Sequence, residues 1–107
     1  MAREQLQTLS EPMYFILLAL THPMHGYEIM QKVSAISNER VKVGAGTLYA
    51  LLTRFENEGI ILRIKDDGRR KTYKITEKGR EFLEREYTRL KESIKAYDNY
   101  ILEGIKT

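Results

Sequence analysis

Six basic side chains, Arg63, Lys65, Arg69, Arg70, Lys71 and Lys74, fall within residues 60–75 with only Asp66 and Asp67 to oppose them. That is a local excess of +4 in a chain whose formal net charge is +3. The rest is close to neutral: residues 1–59 carry five basic and six acidic groups, and residues 76–107 carry seven of each. Cations concentrated in this way do one kind of chemistry well, which is to hold a polyanion through charge-assisted hydrogen bonds to its oxygens. A second set lies just upstream at helical spacing. Gly46, Ala50, Thr53 and Asn57 would share a face that is small and polar at its centre, with Thr47, Tyr49 and Arg54 on its flanks.

Other chemistries find little support. The chain has no cysteine, which excludes disulfides, zinc knuckles, iron–sulfur ligation and thiol catalysis. His22, His25 and Glu28 resemble a metal-ligand set, but residues 22–25 read as a turn and two histidines rarely complete a site, so capping or packing is their expected role. Asp66 and Asp67 precede Gly68 and are explained as the tip of a turn. The serines at 10, 34, 37 and 93 show no nucleophile–base spacing. Val43-Gly44-Ala45-Gly46 carries part of a dinucleotide fingerprint, yet its third glycine would fall on Tyr49 and no βαβ unit surrounds it. No catalytic residue, no metal site and no cofactor is expected, and the chain is not read as an enzyme.

The elements that must position these residues follow from periodicity. Ser10 reads as an N-cap with Pro12 in the first turn of a helix reaching about Leu20, and His22-Pro23 ends it. Ile29, Met30, Val33 and Ile36 predict a second helix over 26–36. Val41-Lys42-Val43 predicts a very short strand leading into a third helix, whose buried stripe is Leu48, Leu51, Leu52 and Phe55 and whose C-terminal stop is Gly59. Residues 60–65 and 70–75 alternate around an Asp-Gly turn and predict a β-hairpin, with Ile60, Leu62 and Ile64 facing inward beside Tyr73 and Ile75. Thr76 then caps a last helix, in whose second turn Gly79 is a local weakness.

In that helix Leu83, Tyr87, Leu90, Ile94, Tyr97 and Ile101 recur at spacings of four and three, the seam of a helix that packs on another helix. Residues 77–102 would span about 38 Å, more than so small a domain can cover, so part of the seam should protrude and meet a second copy as a homodimer. Met13 and Tyr14, with Tyr97 and Tyr100, form a candidate effector pocket between two protomers, suited to a small aromatic or drug-like molecule.

At 107 residues the chain makes one compact unit, and 42% hydrophobic against 31% charged residues is a globular composition. The longest apolar run, residues 13–20, is far short of the roughly 18 residues that cross a bilayer. A cytoplasmic location with no membrane partner is expected. The fold class is α+β, mostly α: a winged helix-turn-helix over 1–75, with a dimerisation helix over 76–107. In that architecture the third helix enters the DNA major groove while a basic wing reaches the backbone. The expected DNA-binding set is therefore Thr47, Tyr49, Ala50, Thr53, Arg54, Asn57, Lys65, Arg69, Arg70 and Lys71. The alternative is a winged module that docks a protein partner, with DNA affinity incidental.

Three blocks carry a resemblance. His25-Gly26-Tyr27-Glu28-Ile29, Gly46-Thr47-Leu48-Tyr49-Ala50-Leu51-Leu52 continuing to Glu58-Gly59-Ile60-Ile61, and Arg69-Arg70-Lys71-Thr72-Tyr73-Lys74-Ile75-Thr76 with Gly79 resemble, in order and spacing, the PadR family of bacterial transcriptional regulators. The likeness covers roughly residues 10–83, and the chain length resembles the shorter subfamily with a single C-terminal helix. The resemblance implies a DNA-binding regulator, usually a repressor, with contacts from Thr47, Tyr49, Arg54, Arg69, Arg70 and Lys71. Family members often have Tyr-Pro where this chain has Tyr49-Ala50, and some bind effectors beside a tryptophan on the last helix, which this chain lacks.

Overall fold

A computed structural model describes residues 6–106. In chain order it contains α1 (Glu11–Ala19), β1 (Met24–His25), α2 (Gly26–Ile36), α3 (Ala45–Asn57), β2 (Ile61–Asp66), β3 (Lys71–Ile75) and α4 (Glu77–Lys106). The fold is mostly helical with one small antiparallel sheet, in agreement with the expected class. None of its described helices is long and apolar enough to cross a membrane.

Ser10 caps α1, its hydroxyl accepting from the Met13 N–H at 3.4 Å. After α1 the His22-Pro23 turn lays Met24 and His25 along the hairpin, where they pair with Tyr73 and Thr72 of β3. The sheet order is β1-β3-β2. The first strand is thus Met24–His25, and the strand expected at Val41–Val43 is absent. The reason is local. Asn38 and Glu39 both adopt left-handed backbone, with φ of 54° and 63°, and fold residues 37–41 back on themselves. The buried Ser37 hydroxyl then takes the Val41 N–H at 3.0 Å, so a donor that a strand would have used is already bonded.

The hairpin corrects a second expectation. Ile60 and Ile61 are both buried, whereas Leu62 and Ile64 are 40% and 46% exposed. Gly59, at φ +74°, closes α3 and delivers Ile60 to the core as a loop residue, its N–H on the Phe55 carbonyl at 2.9 Å. The strand proper starts one residue later. Ile61 pairs with Ile75 and Arg63 with Tyr73, so Ile61 and Arg63 share the face of Tyr73 and Ile75, and an irregularity between Arg63 and Lys65 leaves Ile64 without a partner. Arg63, though exposed, lies over the Tyr73 ring at 5.8 Å.

Ile16, Leu17, Leu20, Ile29, Val33, Leu48, Leu52 and Phe55 form the fully buried centre, closed on one side by the sheet and on another by Phe82 and Leu83 of α4. Ile36, expected on the buried face of α2, is 40% exposed at its last turn. Gly79 is a close approach rather than a weakness. A Cβ there would overlap the Ile60 carbonyl oxygen and lie 2.6 Å from Cγ1 of Ile75. Thr76 holds the junction: its hydroxyl accepts the Gly79 N–H at 3.0 Å and donates toward the Gly59 and Ile60 carbonyls at 2.7 and 2.9 Å. Only the first turns of α4 rest on the core. Its 30 residues extend about 45 Å, and the side chains from Tyr87 to Gly104 are exposed.

Candidate nucleic-acid interface

The buried stripe Leu48, Leu52 and Phe55 fixes the rotation of α3, and its opposite side presents Gly46, Thr47, Ala50, Thr53 and Asn57 to solvent. No long side chain stands at the centre of that face, so the helix axis can come near an apposed surface. Thr53 donates its hydroxyl to the Tyr49 carbonyl at 2.9 Å and so offers its methyl group and its acceptor lone pairs outward.

The two flanks differ. On one, the Arg54 Nε donates to Glu58 Oε2 at 3.1 Å, while Glu58 Oε1 accepts the Leu6 N–H at 2.8 Å. Arg54 is thereby drawn toward the C-terminal end of α3. On the other, Tyr49 leans over the start of α2. A Cβ on Gly26 would overlap the Tyr49 hydroxyl and sit 2.9 Å from its Cζ, so only glycine leaves room for the ring. Tyr49 is about half exposed and forms one wall of an open cleft of about 520 Å³ whose other walls are His25, Gly26, Tyr27, Gly68, Arg69, Arg70 and Lys71.

The cations of the wing fall into two groups. Arg63 is spent internally, 3.2 Å from Glu56 and 3.2 Å from Asp66. Arg69 and Arg70 have no ion pair among the described residues, and Lys65 and Lys71 are exposed. The wing carboxylates are turned into the turn itself. Asp66 Oδ1 accepts the Gly68 N–H at 3.0 Å, and Asp67 Oδ1 accepts the N–H groups of Arg69 and Arg70 at 3.2 and 2.8 Å. These backbone hydrogen bonds hold both carboxyls below the usual carboxylate range. Gly68, at φ +90°, makes the turn that aims them. Burial pushes the Tyr73 phenol up, against the opposing pull of Arg63.

Of the expected DNA-binding set, Thr47, Tyr49, Ala50, Thr53, Asn57, Lys65, Arg69, Arg70 and Lys71 thus lie on exposed surface of α3 or the wing, and Arg54 is partly engaged. His25 and Tyr27 were not in that set. Hydropathy periodicity gives no signal for them, because their position depends on β1 docking against β3. Both histidines do local work: His22 Nδ1 is 3.4 Å from the Thr21 hydroxyl, and Glu28 accepts the His25 N–H at 3.1 Å. Among the described residues no three potential metal ligands cluster.

Along α4, Leu83 packs in the chain's own core, while Tyr87, Leu90, Ile94, Tyr97 and Ile101 stand exposed, Ile94 and Tyr97 by 63% and 67%. Met13 and Tyr14 are half-buried against the core, and Tyr97 and Tyr100 lie on the distal half of α4.

Residues 16–85 match the model of the transcriptional regulator PadR-like family. A Lysinibacillus sphaericus protein known as protein X is 32% identical over 96 residues, which is 83% of this chain and 84% of that one. A 37.1 kDa protein in transposon TN4556 of Streptomyces fradiae is 38% identical over 72 residues, 66% of this chain but only 20% of the larger protein. Among solved structures, a PadR-like transcription factor from Bacteroides fragilis superposes with a TM-score of 0.66 at 31% identity, over 84% of this chain and 87% of its own.

Proposed function

The chain belongs to the PadR-like family of transcriptional regulators, which bind DNA, and from that premise we propose that it works as a homodimeric repressor on an inverted-repeat operator. The observation that carries this reading is the pairing of a short-side-chain face on α3 with a wing whose Arg69 and Arg70 guanidiniums have no partner among the described residues. The helix supplies close approach to base edges through Thr47, Ala50, Thr53 and Asn57; the wing, with Tyr49, supplies the phosphate contacts that fix register. Lys65 and Lys71 add charge along the wing, and Arg54 adds a guanidinium shared with Glu58.

Dimerisation through α4 gives the exposed seam from Tyr87 to Ile101 its partner, with Leu83 at its root, and sets two α3 helices a whole number of DNA turns apart. A second copy would also bring the distal Tyr97 and Tyr100 of one protomer toward Met13 and Tyr14 of the other. An aromatic effector lodged there would shift the dimer to a spacing that no longer fits the operator.

Selection of bound duplexes from a randomised pool at near-physiological salt tests the reading. Enrichment of an inverted repeat supports it. Retention of every duplex alike, and only at low salt, overturns it in favour of a winged module that docks a protein partner.

A further inference from the structure

The cleft between the wing tip and the start of α2 is lined by two residues, Gly26 and Tyr27, that reading the helix and the wing as DNA contacts leaves unexplained. We propose that it is a seat for a single phosphate group, held by the Tyr27 and Tyr49 hydroxyls together with Arg70 and Arg69. The proposal rests on the DNA-binding reading only for the source of the phosphate, not for the site.

Three observations carry it. The first is donor supply. Neither tyrosine hydroxyl has a hydrogen-bond partner among the described residues, although both residues line the same cleft, and the same holds for the guanidinium groups of Arg69 and Arg70. Elsewhere among the described residues Arg40 pairs with Glu11, Arg54 with Glu58, Arg63 with Glu56 and Asp66, and Arg89 with Glu86, Arg80 donates to the Thr21 carbonyl, and Arg85 lies over the Phe82 ring. The unpartnered guanidiniums are thus concentrated at this cleft, where planar forks suit a phosphate oxygen pair.

The second is the removal of competing anions. Asp66 and Asp67, the carboxylates nearest in sequence, are turned into the N–H groups of residues 68–70. Glu28, next to Tyr27 in sequence, is folded back on the His25 N–H, whose nitrogen lies 3.1 Å from its carboxylate, and lies 3.2 Å from the His25 Nε2. Among the described residues none that lines the cleft is acidic. The third is the close approach at Gly26. A side chain at this position would displace the Tyr49 ring, so the missing Cβ is what lets a residue of α3 place its hydroxyl beside Tyr27 at the head of α2. Tyr27 acquires a reason that packing does not give it, since it is 62% exposed.

A phosphodiester of duplex DNA and a free phosphate ester present the same oxygens, and two arms of one experiment separate them. In the first, inorganic phosphate is titrated into the full isotope-labelled chain against sodium chloride of equal ionic strength, and the amide shifts of Gly26, Tyr27 and Arg70 are followed. Saturable shifts with phosphate and none with chloride are expected. Tyr27→Phe, which removes a solvent-exposed hydroxyl and should leave the fold intact, is expected to weaken the binding about tenfold, the scale of one hydrogen bond to a charged group. In the second arm, the selected operator is made with single methylphosphonate linkages. Wild-type protein should lose affinity sharply at one linkage per half-site. Tyr27→Phe should bind the natural operator about tenfold less tightly per half-site and lose less than wild type at that linkage. Phosphate shifts without retention of any duplex would keep the seat, assign it to a free phosphate ester and defeat the DNA reading. Absent shifts, or equal losses for wild type and Tyr27→Phe at every linkage, overturn the proposal while leaving DNA binding intact.

Discussion

Replacing Gly79 by alanine should destabilise the protein even though alanine is the better helix former. In an open helix the change gains about 1 kcal/mol. Here the new methyl would overlap the Ile60 carbonyl oxygen and stand 2.6 Å from Ile75 Cγ1 and 3.1 Å from the Ile60 carbonyl carbon. That carbonyl cannot retreat freely, because it accepts the Thr76 N–H at 2.9 Å and the Thr76 hydroxyl at 2.9 Å. Overpacking of this kind costs roughly 1–3 kcal/mol, and each strained hydrogen bond adds about 1 kcal/mol. With two such bonds the net is a loss of about 3 kcal/mol, which lowers Tm by about 13 °C for a chain of this size. Thermal and urea unfolding at one fixed protein concentration measure it, since a dimer's apparent stability depends on concentration. Gly46→Ala is the internal control: a Cβ at Gly46 meets nothing within 4 Å, so stability should stay level or rise. If Gly79→Ala proves as stable as wild type, the close packing of α4 on the α3–β2 junction is refuted.

The remaining expectations concern charge and assembly. Arg70→Ala should flatten the dependence of DNA affinity on salt by about one unit per protomer, whereas Arg54→Ala should change it less, because Glu58 already shares that cation; equal slopes for both variants would contradict the assignment. Ile94→Glu should raise the dimer dissociation constant by at least about a hundredfold, since two apolar side chains lose their burial, and sedimentation at micromolar protein would reveal the monomer. The turn at the wing tip should loosen in acid. Asp66 and Asp67 have lowered carboxyl values, so the order they confer is complete above the ordinary carboxylate range and fades as pH falls through the lowered values. Amide shifts of Gly68, Arg69 and Arg70 followed against pH check this, and invariant shifts down to full protonation would disprove the role of the two aspartates.

Much of this architecture is written in spacing. A stripe such as Leu48, Leu52 and Phe55 can be read because a helix turns by a fixed angle per residue, whatever it packs against. The caps at Ser10 and Thr76, the Asp-Gly turn and the stop at Gly59 depend on one residue's own conformational preference, so they too are legible. The charge excess of the wing, the apolar seam of α4 and the small face of α3 are counts and periods, and they led to the same surfaces the structure exposes.

What the sequence left open are pairings between distant segments. Alternation predicts a strand but not which face is buried, and the inward register of the hairpin was settled by Ile61 docking on Ile75. Val41-Lys42-Val43 and Met24-His25 are equally short, yet only the second finds a free strand edge, because Ser37 has already bonded the Val41 N–H. Gly79 and Gly26 look like any helix glycine until the Ile60 carbonyl and the Tyr49 ring occupy the space beside them. Which arginines remain available is also a tertiary fact: Arg63 and Arg70 are alike as residues, and the proximity of Glu56 separates them. Local conformational preference and periodicity act within a few residues and so survive in the linear sequence; register, close approach and charge pairing are set by contacts that exist only once the chain has closed on itself.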